Sequence, residues 1–169
     1  LVPYNAPLAK LKEAKGLILS GGPASVYAKG APLVKKELFN LEIPVLGICY
    51  GRQLIAYLCG GKVEMAPRRE YGPARIRIIK QHRLFAKFPK DIDVWMSHGD
   101  HVTRLPRGFE AIAQTVNAPY TAIAHTEKPI YAVQFHPEVS HTPLGKEILS
   151  NFIFNVCGCQ PEWKLEDFL

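Results

Sequence analysis

One pentapeptide constrains this chain more than any other stretch: Gly47-Ile48-Cys49-Tyr50-Gly51, set between an apolar run and a helical pattern. Pro44-Val45-Leu46-Gly47-Ile48 reads as a short buried strand. Arg52 to Cys59 carries a helical pattern through Leu54, Ile55 and Leu58, and Gly60-Gly61 stops it. A strand that turns directly into a helix at G-x-C-x-G is the cysteine form of a nucleophile elbow. The turn is sharp, so the flanking residues are glycines and the central one is strained with its side chain presented outward. The helix aims its N-terminus at the sulfur, which favours a reactive thiolate. A free cysteine is more often a small buried core residue. Elbow spacing at a strand–helix junction outweighs that reading.

A cysteine nucleophile needs a base held in one orientation. Pro129-Ile130-Tyr131-Ala132-Val133-Gln134-Phe135 is the strongest late strand, and His136-Pro137-Glu138 follows it. An α/β sheet presents its functional loops at such strand ends. Residues two apart in extended backbone point the same way, and Pro137 favours extension at His136. Glu138 can therefore hydrogen-bond the imidazole, fix its tautomer and stabilise its charged form. Alone, H-x-E would be an ordinary surface pair. Together with the elbow it is specific.

The rest of the chain sets the frame. Gly16-Leu17-Ile18-Leu19-Ser20 reads as a buried strand feeding the turn Gly21-Gly22-Pro23, and Ala31 to Asn40 as a helix through Leu33, Val34, Leu38 and Phe39. Strand, helix, strand, helix predicts an α/β fold with a mostly parallel central sheet flanked by helices. Arg75–Ile78, Val94–Met96, Ala111–Ala113 and Thr121–Ala124 are shorter candidates, separated by turns, that add antiparallel strands at one edge. Leu144 to Val156 is the last predicted helix. With 169 residues the chain suits one domain, expected over 1–159, with 160–169 as the start of a linker.

Charge and cysteine usage exclude several functions. Net charge is +6, but Lys and Arg are scattered, with short pairs only at Lys35-Lys36 and Arg68-Arg69, so nucleic-acid binding is not expected. No apolar run is long enough to span a bilayer. Cys49, Cys59, Cys157 and Cys159 form no paired CxxC set, so neither a zinc site nor a disulfide framework is expected; free thiols point to a reducing cytoplasm. His98 and His101 are three apart without further ligands, so no metal is assigned to them. His82 and His125 sit in polar turns and read as solvated; His141 lies near the His136 loop.

The elbow Gly47–Gln53, the segment Gln134-Phe135-His136-Pro137-Glu138 and the turn Ser20-Gly21-Gly22-Pro23 together resemble the class I, triad-type glutamine amidotransferase domain. Finer features resemble the members that serve GMP synthesis: Ser20 to Tyr27, Arg69-Glu70-Tyr71-Gly72, Trp95-Met96-Ser97-His98-Gly99-Asp100, Val139–Thr142, and Cys157-Gly158-Cys159 followed by Trp163. The resemblance implies Cys49 as nucleophile, His136 as general base and acid, and Glu138 as its orienting carboxylate. It implies an oxyanion hole from backbone N–H groups of Gly21 or Gly22 and of Tyr50. Gln53 and the segment Ser97, His98, Gly99 and Asp100 would hold glutamine. It further implies no cofactor in this domain, a synthetase (ATP-pyrophosphatase) partner, fused or separate, that takes ATP and Mg, and homodimerisation through that partner. Ser20–Pro23 lacks the Gly-Lys-Ser/Thr of a Walker A loop, so nucleotide chemistry belongs elsewhere.

Two departures stand out. Family domains usually open with a strand and helix bearing an Asp-Phe-Gly-Ser-Gln-like stretch; this chain lacks both, and is expected to begin inside the domain. Arg52 stands where the family often has Met, and on the elbow helix it would alter a partner contact. Rival readings are an amidotransferase for anthranilate, carbamoyl phosphate or CTP synthesis, a gamma-glutamyl cysteine hydrolase, and a non-catalytic module. The Trp95–Asp100 and Cys157–Cys159 segments disfavour the first, and an intact Cys49, His136 and Glu138 disfavour the last.

Overall fold

A computed structural model describes residues 1–161, and of residues 67–69 the backbone alone. Trp163 and most of the expected linker over 160–169 lie outside the described residues. The elements are β1 (Leu17–Leu19), β2 (Val45–Ile48), α1 (Tyr50–Leu58), β3 (Lys62–Ile78), β4 (Asp91–Arg104), β5 (Phe109–Gln114), β6 (Ala122–His125), β7 (Ile130–Val133) and α2 (Gly145–Ser150). Short 3-10 turns cover Leu8–Leu11, Lys36–Asn40 and Arg83–Phe85.

The seven strands form one sheet in the order β1-β2-β7-β6-β5-β3-β4. Among the described residues, only β1–β2 and β2–β7 pair in parallel. The ladders β7–β6, β6–β5, β5–β3 and β3–β4 are antiparallel. The expected mostly parallel sheet is thus corrected to a mixed one in which antiparallel pairing prevails. The reason is connectivity. A parallel pair needs a crossover of a dozen residues or more, usually a helix, whereas the run from Lys62 to His125 joins its strands by turns. The long β3–β4 ribbon, broken in register between Met65 and Glu70, extends well beyond the edge additions that were expected.

Two predicted helices also change. Ala31–Asn40 winds only at Lys36–Asn40, as a 3-10 turn. Gly30 at φ +80°, a tight Leu33 N–H to Ala31 C=O bond and an extended Lys35 (ψ 133°) keep the preceding residues out of the helix. Val34, Leu38 and Phe39 are nonetheless buried, whereas Leu33, the fourth apolar position of the expected helix, is exposed, so the spacing is satisfied only in part without it. Leu144–Val156 is α-helical from Gly145 to Ser150 and π-helical over Asn151–Val156, with Cys157 N–H donating to Phe152 C=O. The wider turn buries Phe152 while the Asn151 amide donates to the carbonyls of Leu84 and Ala86.

The sheet is buried on both faces at its centre, in β2 and β7. By contrast β1, expected as a buried strand, exposes Ile18, and the β3–β4 ribbon exposes Arg75, Arg77, Asp91 and Asp93. Alternation divides the side chains. Leu46, Ile48, Tyr131, Val133, Ile112, Ile148 and Phe152 pack together on one side with α2. Val45, Ala132, Ile123, Leu54, Ile55 and Val63 pack on the other with α1. β2 and β7, buried along their whole length and paired in parallel, end side by side. One is followed by Cys49 and the other by Gln134, Phe135 and His136.

Candidate active site

Cys49 follows the last residue of β2 and caps α1, at φ 50° and ψ −101°. Few side chains adopt a positive φ, so this residue is held in strain by its surroundings. Both flanking glycines are required. A Cβ on Gly47 would lie 2.7 Å from the Gly51 carbonyl group and from Ile55 Cδ1. A Cβ on Gly51 would lie 2.1 Å from the Leu19 carbonyl oxygen. β1 and α1 meet here with no room for a methyl group. The Cys49 N–H donates to Val133 C=O at 2.9 Å, and its own C=O accepts from the Arg52 and Gln53 amides. As a thiol, its sulfur donates to Ser97 C=O at 3.5 Å.

His136 faces that sulfur. Its Nδ1 bonds Glu138 Oε1 at 2.6 Å, which leaves Nε2 to meet the thiol. The hydrogen bond to Cys49, and after it the one to Glu138, raise the His136 pKa to about 10, against the opposing effect of burial. At neutral pH the ring is therefore an imidazolium. Burial is the largest single influence on the Glu138 carboxylate and works against its charge. The hydrogen bond from His136, a backbone hydrogen bond and the charge of the His136 ring together outweigh it and hold Glu138 below the usual range. The brace behind the ring has no signature in the sequence. The His136 N–H donates to Trp95 C=O at 3.0 Å. The hydroxyl of buried Thr142 donates to His136 C=O at 2.6 Å and accepts the Trp95 N–H at 3.1 Å. His141 stacks on Trp95 with ring centroids 4.5 Å apart. Gly145 presses on the same loop: a Cβ there would lie 2.0 Å from the Pro137 carbonyl oxygen.

The two groups open onto a cavity of about 570 Å³ lined by Gly22, Pro23, Ala24, Ser25, Cys49, Gln53, Tyr71, Ser97, His98, Gly99, Asp100 and His136. It thus gathers most of the residues named from sequence. Gly21 also lies against the pair, since a Cβ there would be 3.0 Å from His136 Cε1 and 3.6 Å from Cys49 Cβ. Tyr50 is the first residue of α1, so its N–H has no acceptor within the helix. Its ring packs beside Gly22, and its hydroxyl donates to Pro32 C=O. Gln53 donates to Asp100 C=O at 3.0 Å, tying α1 to β4 across the cavity floor. Ser25 and Tyr71 complete the lining; both fall within segments singled out in the sequence, though neither was named there as a site residue.

His98 and His101 are not a ligand pair. Three apart on one strand, they project from opposite faces. His98 is buried, with Nε2 3.2 Å from Glu70 Oε2, and burial lowers its pKa. His82 and His125, read as solvated, act as local caps: Nδ1 of His82 accepts the Arg83 N–H, and Nδ1 of His125 accepts those of Glu127 and Lys128. Arg52 departs from expectation most. Its side chain does not point to a partner surface but is 1% exposed inside the fold.

The chain belongs to the class I glutamine amidotransferases: the model of that family, Glutamine amidotransferase class-I, matches residues 1–156. Over its full length the chain is 52% identical to the glutamine-hydrolysing GMP synthase of Aquifex aeolicus and 53% identical to that of Thermomicrobium roseum. It spans about a third of these relatives, 34% and 32% of their lengths. A solved GMP synthase protein of Thermoplasma acidophilum superposes with TM-score 0.87 at 33% identity, covering 93% of this chain and 79% of that one. A Thermotoga maritima glutamine amidotransferase shares the fold, with TM-score 0.79 at 21% identity, over 88% and 80% of the two chains.

Proposed function

We propose that this chain is the glutaminase part of a GMP synthase and releases ammonia from glutamine at Cys49. The observation that carries the reading is the strained cysteine facing an imidazolium that Glu138 holds in place, at the mouth of a cavity large enough for an amino acid.

The Cys49 sulfur attacks the side-chain amide carbon of glutamine. The carbonyl oxygen, now an oxyanion, accepts hydrogen bonds from the Tyr50 N–H and from the Gly21 or Gly22 N–H. Each such donor stabilises the transition state by about 3 kcal/mol. His136 gives its proton to the leaving nitrogen, the C–N bond breaks and ammonia departs. A glutamyl thioester remains on Cys49. His136, now neutral, takes a proton from water, which attacks the thioester and releases glutamate. Glu138 keeps Nε2 directed at the sulfur through both steps. Gln53 and the Ser97–Asp100 segment hold the amino-acid end of the substrate.

The ammonia then serves a synthetase (ATP-pyrophosphatase) part, which uses ATP and Mg to aminate XMP to GMP. The half-identity to GMP synthases three times this length supports that partner. Four free thiols suit a cytoplasmic setting. The test is an assay of the chain together with its synthetase part. GMP should form from XMP, ATP, Mg and glutamine, whereas no anthranilate should form when chorismate replaces XMP. Cys49→Ala should abolish synthesis from glutamine and leave synthesis from ammonium chloride intact. Glutamate release by that variant at the parent rate would refute the reading.

A further inference from the structure

Arg52 is fully buried one turn along α1 from Cys49. Its guanidinium donates to Gln134 Oε1 and to Tyr120 C=O. Both acceptors are neutral, and among the described residues no carboxylate forms an ion pair with it. Its Nε is buried with no hydrogen-bond partner there. A buried cation without an anion is costly, so its retention calls for a nearby negative charge. Burial lowers the Arg52 pKa to about 9, and the opposing influence that sustains its charge comes from Cys49.

The link between the two runs through Gln134. A carboxamide has one accepting end and one donating end, and a guanidinium only donates. Arg52 therefore fixes Oε1 towards itself. This turns Nε2 to the other side, where it donates to Cys49 Sγ at 3.8 Å. If the amide were free to flip, it would offer Oε1 to the sulfur. An oxygen there favours the protonated thiol, while an N–H favours the thiolate. We infer that Arg52 is a positioning residue: it locks the Gln134 amide so that an N–H faces the nucleophile, and it supplies the buried positive charge that a sulfur anion at position 49 balances.

The inference rests on the reading of Cys49 as nucleophile and extends it. Among the described residues, the other ionisable groups around the sulfur are His136 with Glu138 after β7, His98 on β4 with Glu70 on β3 behind it, and Tyr71 and Asp100 on the cavity wall. His136 supplies a second positive charge from the cavity side; Arg52 acts from the interior. Burial, and with it the Arg52 charge, disfavours protonation of His98 against the opposing influence of Glu70.

The test is the pH profile of Cys49 alkylation by iodoacetamide, read by peptide mass mapping on the full chain so that Cys59, Cys157 and Cys159 are scored apart. Arg52→Met removes the charge and the lock at similar length. Its low-pH limb should move up by about one pH unit, so that alkylation on that limb is about tenfold slower. Above both limbs the rates should be equal. Arg52→Lys should keep at least half of the parent position. Gln134→Glu retains an Arg52 partner but sets a carboxylate beside the sulfur, and should shift the limb the same way as Arg52→Met. That variant decides the matter if Arg52→Met fails to fold. Limbs of Gln134→Glu and of any folded Arg52→Met within 0.2 of the parent, a limit of about 0.3 kcal/mol, would overturn the inference. So would a folded Arg52→Lys as slow as Arg52→Met. Rapid Cys49 alkylation in the parent would still stand in either event, so the two readings fail separately.

Discussion

Gly145 touches no substrate, yet its replacement by alanine should disable the site. A Cβ there would sit 2.0 Å from the Pro137 carbonyl oxygen, when real Cβ contacts essentially never fall under 3.0 Å. Something must move by at least about 1 Å. Helix α2 cannot easily give: Gly145 N–H is bonded to Thr142 C=O at 2.9 Å, and Ile148, one turn on, is fully buried. The peptide that yields is therefore Pro137, between His136 and Glu138. Overpacking of this kind costs about 1–3 kcal/mol of stability. A shift of roughly 1 Å in a catalytic group costs about 100-fold in rate. The assay is glutamate release at saturating glutamine, run well below the melting temperature, with ammonia-dependent synthesis as control for the partner. The variant should keep its KM for glutamine within about threefold and lose about two orders of magnitude in kcat. A kcat within threefold of the parent would show that the loop absorbs the methyl group without moving the imidazole, and the reasoning would fail.

Glu138→Gln removes the negative charge of Glu138, which after Cys49 is the second of the two residues that raise the His136 pKa. The alkaline limb of kcat, set by loss of the proton delivered to the leaving nitrogen, should move to lower pH, with kcat down about 100-fold. A group whose pKa is raised by folding stabilises the fold fully below its ordinary value of 6.5 and no longer does so above about 10. The gap in melting temperature between parent and Glu138→Gln should therefore narrow across that range; a gap independent of pH would contradict the assignment. Thr142→Val leaves the Trp95 N–H without its acceptor and His136 C=O without that donor, which should cost about 1–3 kcal/mol. An unchanged melting temperature would show that this brace carries nothing.

What the sequence disclosed was local. Cys49 with its glycines, and His136 with Glu138, are each set by residues within a few positions, through backbone geometry that residue types announce. What it hid was long-range. Nothing in the residues near Thr142 says that its hydroxyl bridges to Trp95, 47 positions away. Nor does Arg52 announce an interior partner 82 positions on, and on an isolated helix it reads as surface. The same limit explains the sheet. Alternation at Arg75–Ile78 marks a strand, but not that it belongs to a ribbon from Lys62 to Ile78 paired antiparallel with β4. The apolar spacing at Val34, Leu38 and Phe39 predicts burial correctly and helix wrongly, because Gly30, Pro32 and the extended Lys35 deliver those side chains to the core by another path.

The central claim is that the sulfur at position 49 becomes covalently bonded to the glutamine skeleton. Incubating the enzyme with the glutamine analogue 6-diazo-5-oxo-norleucine and mapping the adduct by mass spectrometry tests it directly. One equivalent on the peptide carrying Cys49, prevented by excess glutamine and absent from Cys49→Ala, is the predicted result. Labelling at Cys59, Cys157 or Cys159 instead, or sustained glutamate release with Cys49 unmodified, would contradict it.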